Sequence, residues 1–456
     1  MNIFRSFYKC SYVFSGAVLA IFMGSIACQN TVEYCETEQG DTGIIGEKEF
    51  YYLDDFLEED SIGASMTIDE HSSIYITGIA GNIEYLNVGG HIHYIPNQYM
   101  QIWKYSSEGV LETAFNDDQK SGDIGSIGRD VVVDRSGAIY IVGSSKDSVR
   151  DDGRDIAIWK YRSDGELDPA FGDDGIVIFH GTEEYEEEAT SVLIDDNNNV
   201  YVAGYIRDGP RSMLLLKYRS DGTPDPTFGD NGMASYEDID GDGAKAYDME
   251  FDSTGNLYVA GRLNARVAIW KYHPDGTLDS SFGGTGVVVY ENSSAGEAKS
   301  IAVDDNDSVY ATGSVWPDDT FRKDRVILLK YLSNGTLDTT FSGDGVDIQR
   351  SSIAGGGGYN GGKSILLDDA GNIYVSGLSS REYLMNYHDR SSIFVLRYLR
   401  SGEIDTAFGN NGAFTAYALG SAVGSTSNID GCSGDLFVSG YSYGSGKVEM
   451  SLLRIR

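Results

Sequence analysis

Short apolar segments recur along nearly the whole chain, each bounded by Asp, Gly or Asn, and none has the three-to-four-residue spacing of an amphipathic helix. "DVVVD" at 130, "GAIYIVG" ending at Gly143, "IAIWKY" at 156 and "GIVIF" at 175 are short runs of β-branched and aromatic residues bounded by turn residues, the pattern of β-strands. The order repeats: a strand ending in Asp, a strand ending in Gly, a loop of variable length, a strand ending in Lys-Tyr, an Asp-Gly turn and a last short strand. Four short antiparallel strands form each unit.

The second strand occurs seven times, as "SSIYITG", "GAIYIVG", "NNVYVAG", "GNLYVAG", "DSVYATG", "GNIYVSG" and "GDLFVSG", ending at Gly78, Gly143, Gly204, Gly261, Gly313, Gly377 and Gly440. The turn after the third strand closes on Phe115, Phe171, Phe228, Phe282, Phe341 and Phe408, at intervals of 54 to 67 residues. A period of this size marks one supersecondary unit per repeat, and seven four-stranded sheets arranged radially make an all-β, seven-bladed propeller. The "KYxxDGxLDxxFGxxG" unit with "DxxGxIYVxG" resembles the delta-sixty β-propeller repeat of exported bacterial proteins. The resemblance spans residues 39–456; it implies the fold and no common reaction or cofactor.

The dense Asp and Gly of segments such as "YRSDGELDPAFGDDG" belong to architecture, because a site used once per molecule cannot consist of residues present in nearly every repeat. Asp-Gly supplies turn positions, the Leu and Phe of "LDxxF" plug the gap between blades, and Lys104, Lys160, Lys217, Lys271, Lys330 and Arg397 are expected to pair with repeat carboxylates such as Asp168 or Asp195. The chain stops at "MSLLRIR", the third strand of the seventh unit, while residues 39–54 align with a fourth strand. The amino-terminal segment is therefore expected to dock beside Leu452 to Ile455 and close the last blade.

Composition changes the picture mainly through charge. Seventy acidic residues stand against 34 basic ones, a net −36, which disfavours nucleic acid and anionic membrane surfaces as partners. Residues 1–27 combine Arg5 and Lys9 with the apolar "YVFSGAVLAIFMGSIA", the pattern of an export signal, and "SIAC" resembles a bacterial lipoprotein signal that would lipidate Cys28. Residues 28–38 then read as a short tether, and the protein as an outer-membrane or cell-surface lipoprotein; plain secretion or a periplasmic location is the alternative. Lipidation of Cys28 leaves Cys35 and Cys432, both assigned to turns at one end of blade 7, as a disulfide clasp or as two free thiols.

In such a meander the first-to-second and third-to-fourth turns share one face, and the second-to-third and blade-to-blade loops share the other. The second set varies most, so a ligand is expected there near the central axis, among His91, His93, His180, Trp316 and His388. "DIDGDG" offers Asp238, Asp240 and Asp242 at calcium-loop spacing, but Met249 stands where an EF-hand places Glu, so a calcium site and a solvated acidic turn both remain open; no cofactor is required otherwise. "GGYNGGKS" (357–364) has the letters of a phosphate loop, yet a strand follows it rather than a helix, which leaves a flexible glycine loop. No nucleophile elbow or paired-cysteine metal motif occurs. The function expected is a monomeric binding or scaffolding module for a protein or carbohydrate of the cell envelope, touching the membrane only through its lipid. The alternative is a propeller lyase or hydrolase acting on a polysaccharide or small molecule in the central funnel.

Overall fold

The computed structural model describes residues 48–52, 61–80, 85–88, 91–94, 99–112, 115, 125–146, 153–181, 186–207, 212–237, 242–316, 324–349, 360–379, 392–417, 421–430, 433–444 and 447–455. Seven antiparallel sheets surround an axis. Their inner strands are Ser61–Ile68, Ile127–Val133, Glu186–Ile194, Ala244–Phe251, Ala295–Val303, Asn360–Leu367 and Ser421–Ile429. Each inner strand touches the next, and the seventh touches the first, so the array is a closed seven-bladed propeller. Blades 2 to 6 run inner to outer in sequence order, with four strands each. Blade 1 contributes three strands among the described residues, with a two-stranded hairpin, Tyr85–Val88 and His91–Tyr94, between its second and third.

Closure follows the sequence expectation. The strand Lys48–Tyr52 forms the outer edge of blade 7, pairing antiparallel with Lys447–Ile455 in the register Lys48↔Ile455 to Tyr52↔Ser451. The third strand of that blade is thereby bonded on both sides, which removes an open edge.

The repeated residues form one structural unit per blade. In blade 2, Lys160 Nζ lies 2.9 Å from Asp168, and 5.3 and 5.7 Å from the ring centres of Tyr140 and Phe171, which meet edge to face at 6.1 Å. The same carboxylate accepts the backbone N–H of Ala170 and so caps its own turn. Lys104–Glu112 (3.1 Å), Lys217–Asp225 (2.9 Å), Lys330–Asp338 (2.9 Å) and Arg397–Asp405 repeat the ion pair. Lys271 sits between Asp252 at 3.4 Å and Asp279 at 3.6 Å. Asp195, expected as a possible partner, instead accepts the N–H groups of Asn197 and Asn199, each at 2.9 Å, and shapes the first turn of blade 3. Phe171 is fully buried in a cluster that joins Tyr140, Val142, Ile156 and Ile158 of blade 2 to Val192, Val202 and Leu214 of blade 3, the plug between blades.

The Asp-Gly turns also lock neighbouring blades through the backbone. The N–H of Gly172 donates to the carbonyl of Asp221 at 2.9 Å, Gly229 to Asp275 at 2.7 Å, and Gly283 to Asn334 at 2.9 Å. Gly222 has φ +83, and a Cβ there would stand 2.6 Å from the nitrogen of Gly172, so two independent constraints require glycine.

A second repeated feature positions the site. Every inner strand carries a one-residue register shift opposite the repeated Gly of the second strand, which continues two to four residues past that Gly rather than ending there as expected: between Gly63 and Ser65, Gly128 and Asp130, Ala189 and Ser191, Ala246 and Asp248, Ala298 and Ser300, Gly362 and Ser364, and Gly424 and Thr426. At Gly143, Gly261 and Gly313 the place of a Cβ lies 1.9 Å from the carbonyl oxygen of Ile127, Lys245 and Glu297, so glycine is what lets the bulged strand come close. The residues just after the bulges hydrogen-bond from strand to strand. Ser65 donates to Asp130, Asp130 accepts the N–H of Val192, and Ser191 donates to Asp248. Asp248 accepts from Ser300 and Ile301, Ser300 accepts the N–H of Ile365, and Ser427 donates to Ser364. The belt runs through all seven inner strands.

"GGYNGGKS" resolves differently from the flexible loop expected. Asn360–Leu367 is the inner strand of blade 6, and a Cβ on Gly362 would lie 2.2 Å from Thr312 Oγ1, so at least this glycine serves packing against blade 5. Its Lys363 occupies the bulge.

Candidate site at the mouth of the central channel

The bulged residues themselves are Ala64, Arg129, Thr190, Tyr247, Lys299, Lys363 and Ser425. They stand near the beginning of the inner strands, which pairs with the end of the second strands, as Ala295 pairs with Trp316. This is the end from which the second-to-third loops leave, the variable face. Around it four blades bring charged and aromatic groups into contact. Arg129 of blade 2 reaches Glu188 of blade 3 at 2.7 Å, and Tyr205 donates to the same carboxylate. Lys245 of blade 4 lies 3.6 Å above the Tyr205 ring. Tyr247 donates to Glu297 of blade 5 at 2.9 Å, and Lys299 lies 2.9 Å from Glu297 and 3.4 Å above the Tyr247 ring. Arg262, from the second strand of blade 4, meets Asp242 at 3.4 Å.

The electrostatics are those of a partly desolvated site. Burial alone would raise the Glu188 and Glu297 carboxyls, but Arg129, Tyr205 and Lys245 around the first, and Lys299, Tyr247 and Lys363 around the second, hold both below the usual glutamate value. The Lys299 pKa is lowered as well, which for an ammonium favours the neutral form: burial lowers it, and Lys363 and Arg262 add to that against the pull of Glu297. Asp324 is pushed up to about 6 by burial and by Glu297, with Lys363 opposing. Its carboxylate accepts the indole N–H of Trp316, whose side of the mouth is tied further by Ser294, which donates from both N–H and hydroxyl to the Trp316 carbonyl at 2.9 Å. Trp316 is 39% exposed, so a broad aromatic surface is available beside the charged group.

The candidates named from sequence distribute unevenly. Trp316 sits at this mouth, and Asp242 lies at its rim bonded to Arg262. His180 is a solvated loop side chain paired at 3.0 Å with the buried Asp155. His91 and His93 lie on the inserted hairpin of blade 1. His388, Cys28, Cys35, Cys432, Asp238 and Asp240 fall outside the described residues. Among the described residues no three His, Cys, Asp or Glu side chains gather to hold a metal ion, and no helix is long and apolar enough to cross a membrane. Sequence reading sought the site on the loops and missed Arg129, Glu188, Lys245, Tyr247, Arg262, Glu297, Lys299 and Lys363, most of which are inner-strand residues. Aligning the seven inner strands exposes the signal: between a repeated small residue and a repeated Ser, Thr or Asp, one column reads Ala64, Arg129, Thr190, Tyr247, Lys299, Lys363 and Ser425, with the large polar side chains in blades 2, 4, 5 and 6.

Fold and site together define a closed seven-bladed β-propeller with a charged, aromatic mouth at one end of its channel. Its repeats match a β-propeller domain of unknown function, DUF5122, over residues 136–171, 196–228 and 253–282. No curated protein sequence matches the chain. Among solved structures, a polysaccharide lyase, the PL25 ulvan lyase, shares 11% identity at a TM-score of 0.51, covering 88% of this chain and 95% of its own. The polysaccharide lyase Uly1 shares 10% at a TM-score of 0.46, covering 86% and 90%. A protein of unknown function from Dyadobacter fermentans shares 13% at a TM-score of 0.41, covering 90% and 98%. At 11% identity the likeness to the PL25 ulvan lyase is one of fold.

Proposed function

We propose that the protein is an exported propeller, anchored through a lipid on Cys28, that acts as a binding module through the variable-loop face, with its ligand seated at the channel mouth. One observation carries the reading: blades 2, 3, 4 and 5 converge Arg129, Glu188, Tyr205, Lys245, Tyr247, Glu297 and Lys299 on one half-buried region. The repeated ion pairs serve every blade alike; this group occurs once, which is what a site requires. Half-buried charges assembled for binding cost stability, so replacing Glu297 and Lys299 together by Gln and Met should leave the melting temperature unchanged or raise it. A fall of more than about 5 °C would show that the cluster braces the fold instead.

A second reading, a lyase or hydrolase acting in the funnel, is favoured by Lys299. An ammonium that releases its proton more readily than a free lysine, in contact with Tyr247 and Glu297, is suited to proton transfer. Appearance of unsaturated or reducing ends on incubation with a polysaccharide would distinguish turnover from binding.

A further inference from the structure

Two residues of the belt are acids without a cation. Asp130 of blade 2 and Asp248 of blade 4 stand where other blades place Ser65, Ser191, Ser300 and Ser364. The repeated carboxylates, such as Asp225, Asp338 and Asp405, each face a lysine or arginine. Among the described residues, Asp130 and Asp248 meet hydroxyls, backbone N–H groups and each other. Asp130 accepts from Ser65 at 2.6 Å, from the N–H of Val131 at 2.9 Å and from that of Val192 at 2.8 Å. Asp248 accepts from the N–H of Met249 at 2.8 Å, Ser191 at 3.2 Å, Ser300 at 2.8 Å and the N–H of Ile301 at 3.0 Å. The Ser191 hydroxyl also bears on Asp130, so one hydrogen faces two carboxylates.

All four carboxylate oxygens already accept a hydrogen bond, an arrangement that suits a proton better than a metal ion. A proton needs only one of those bonds to reverse: a backbone N–H cannot accept, whereas a hydroxyl can. Ser191 is the hydroxyl that reaches both acids. With a proton on Asp130, that carboxyl donates to Ser191 and Ser191 donates to Asp248, which leaves one negative charge and keeps the chain of bonds intact. Burial pushes both carboxyls upward, Asp248 to about 7, and the charge of Asp130 adds to the Asp248 shift. The other titratable groups on the surrounding strands are engaged elsewhere. Ser61–Ile68 carries none. Arg129 is held by Glu188, and Tyr247 and Lys299 by Glu297, at the mouth; Lys245 lies over the Tyr205 ring, Glu187 lies against Gly181, and Glu250 accepts the N–H of Phe251.

We propose that Asp130 and Asp248 hold one proton between them through Ser191, which makes the inner ring a clasp that is tight in mildly acidic surroundings and loosens across blades 2 to 4 when the proton leaves. Both acids keep part of their surface accessible, so the proton exchanges with solvent. A folded pair whose pKa exceeds the unfolded 3.8 retains a proton that the unfolded chain has lost, so its share of the unfolding constant rises about tenfold per pH unit between about 4 and 7. Arg129, Thr190 and Tyr247 immediately precede Asp130, Ser191 and Asp248, so the strands that loosen are those that set the mouth.

Native-state hydrogen exchange of the full chain at about pH 5.5 and about pH 8, corrected for the intrinsic pH dependence of exchange, reads the clasp without any substitution. Protection of Ile127–Val133, Glu186–Ile194 and Ala244–Phe251 should fall at least about tenfold at the higher pH, while that of Asn360–Leu367, whose belt residue is Ser364, should stay within about threefold. An equal fall in all four strands, or no fall, would overturn the clasp. Urea titration between about pH 4 and 8 tests the sharing. Asp130→Ser and Asp248→Ser should each remove the tenfold-per-unit dependence, and the double variant should remove no more than either alone. Loss of one tenfold dependence in each single variant and of a hundredfold dependence in the double would mean two separate protons and would overturn the sharing. Asp130→Asn or Asp248→Asn replaces a serine variant that does not fold.

Discussion

At the scale of single residues, the chemistry of this protein divides into a repeated set that builds the blades and a unique set that lines the mouth, and the two use the same side chains differently. Lys217 illustrates the first. Its ammonium is 2.9 Å from Asp225 and 5.0 Å from the Tyr201 ring centre, and Tyr201 meets Phe228 edge to face at 5.9 Å. Burial would raise the Asp225 carboxyl, but the bonds from Lys217 and Thr227 bring it down to about 2. A carboxyl whose folded pKa lies below its unfolded value of 3.8 adds stability above about pH 4, lost as pH falls through 2. Asp225→Asn should therefore flatten the acid-unfolding curve between about pH 4 and 2, measured by circular dichroism; an unchanged curve would remove the pair from the acid response. Lys299 shows the second use. It also has a carboxylate and a tyrosine ring beside it, yet it is more deeply buried and two further cations crowd it, so its pKa falls where that of Lys217 rises.

At the scale of strands and turns, the glycines carry the information that the hydrophobic pattern lacks. The repeated Gly of each second strand reads in sequence as the strand's end, while in the structure it lies inside the strand and admits the bulge that sets the belt and the mouth residues. That is why the fold was legible and the site was not. Runs of β-branched and aromatic residues bounded by turn residues announce strands directly, but a channel-facing bulge appears only once the register across two strands is known, and its residues lie a whole repeat apart. Lys363 was legible only as part of a false phosphate-loop pattern. Two outcomes test this scale. Gly222→Ala forces a Cβ into a positive-φ turn against the neighbouring blade and should cost more than about 2 kcal/mol by denaturant titration, whereas the open Gly284 should tolerate Ala with only the cost of its φ. Asp248 is buried, so its pKa is pushed up to about 7 despite four donors, Ser191, Met249, Ser300 and Ile301. Its folded pKa exceeds its unfolded 3.8, so the folded state holds the extra proton and stability falls as pH rises from about 4 to 7. Asp248→Ser, the residue of Ser191 and Ser300, should reduce that slope and cost about 1–3 kcal/mol near pH 5 by stranding the Ile301 N–H.

At the scale of the whole molecule, the arrangement of charge and the closure of the ring are one problem. The interior cations of the mouth are held together by blades whose order is fixed only if the ring is closed, and blade 7 is completed by a strand from the opposite end of the chain. The sequence announced this closure through an unfinished last repeat and an orphan first strand, a signal that survives because each blade must have its outer strand. The measurement that tests it most directly is native-state hydrogen exchange of the backbone amides in Lys48–Tyr52 and Lys447–Ile455. Paired across one ladder, the bonded amides of the two segments should open together, with the same protection. Rapid exchange of Lys48–Tyr52 while the blades of residues 127–349 stay protected would contradict the closed ring, and with it the single mouth on which the proposed site depends.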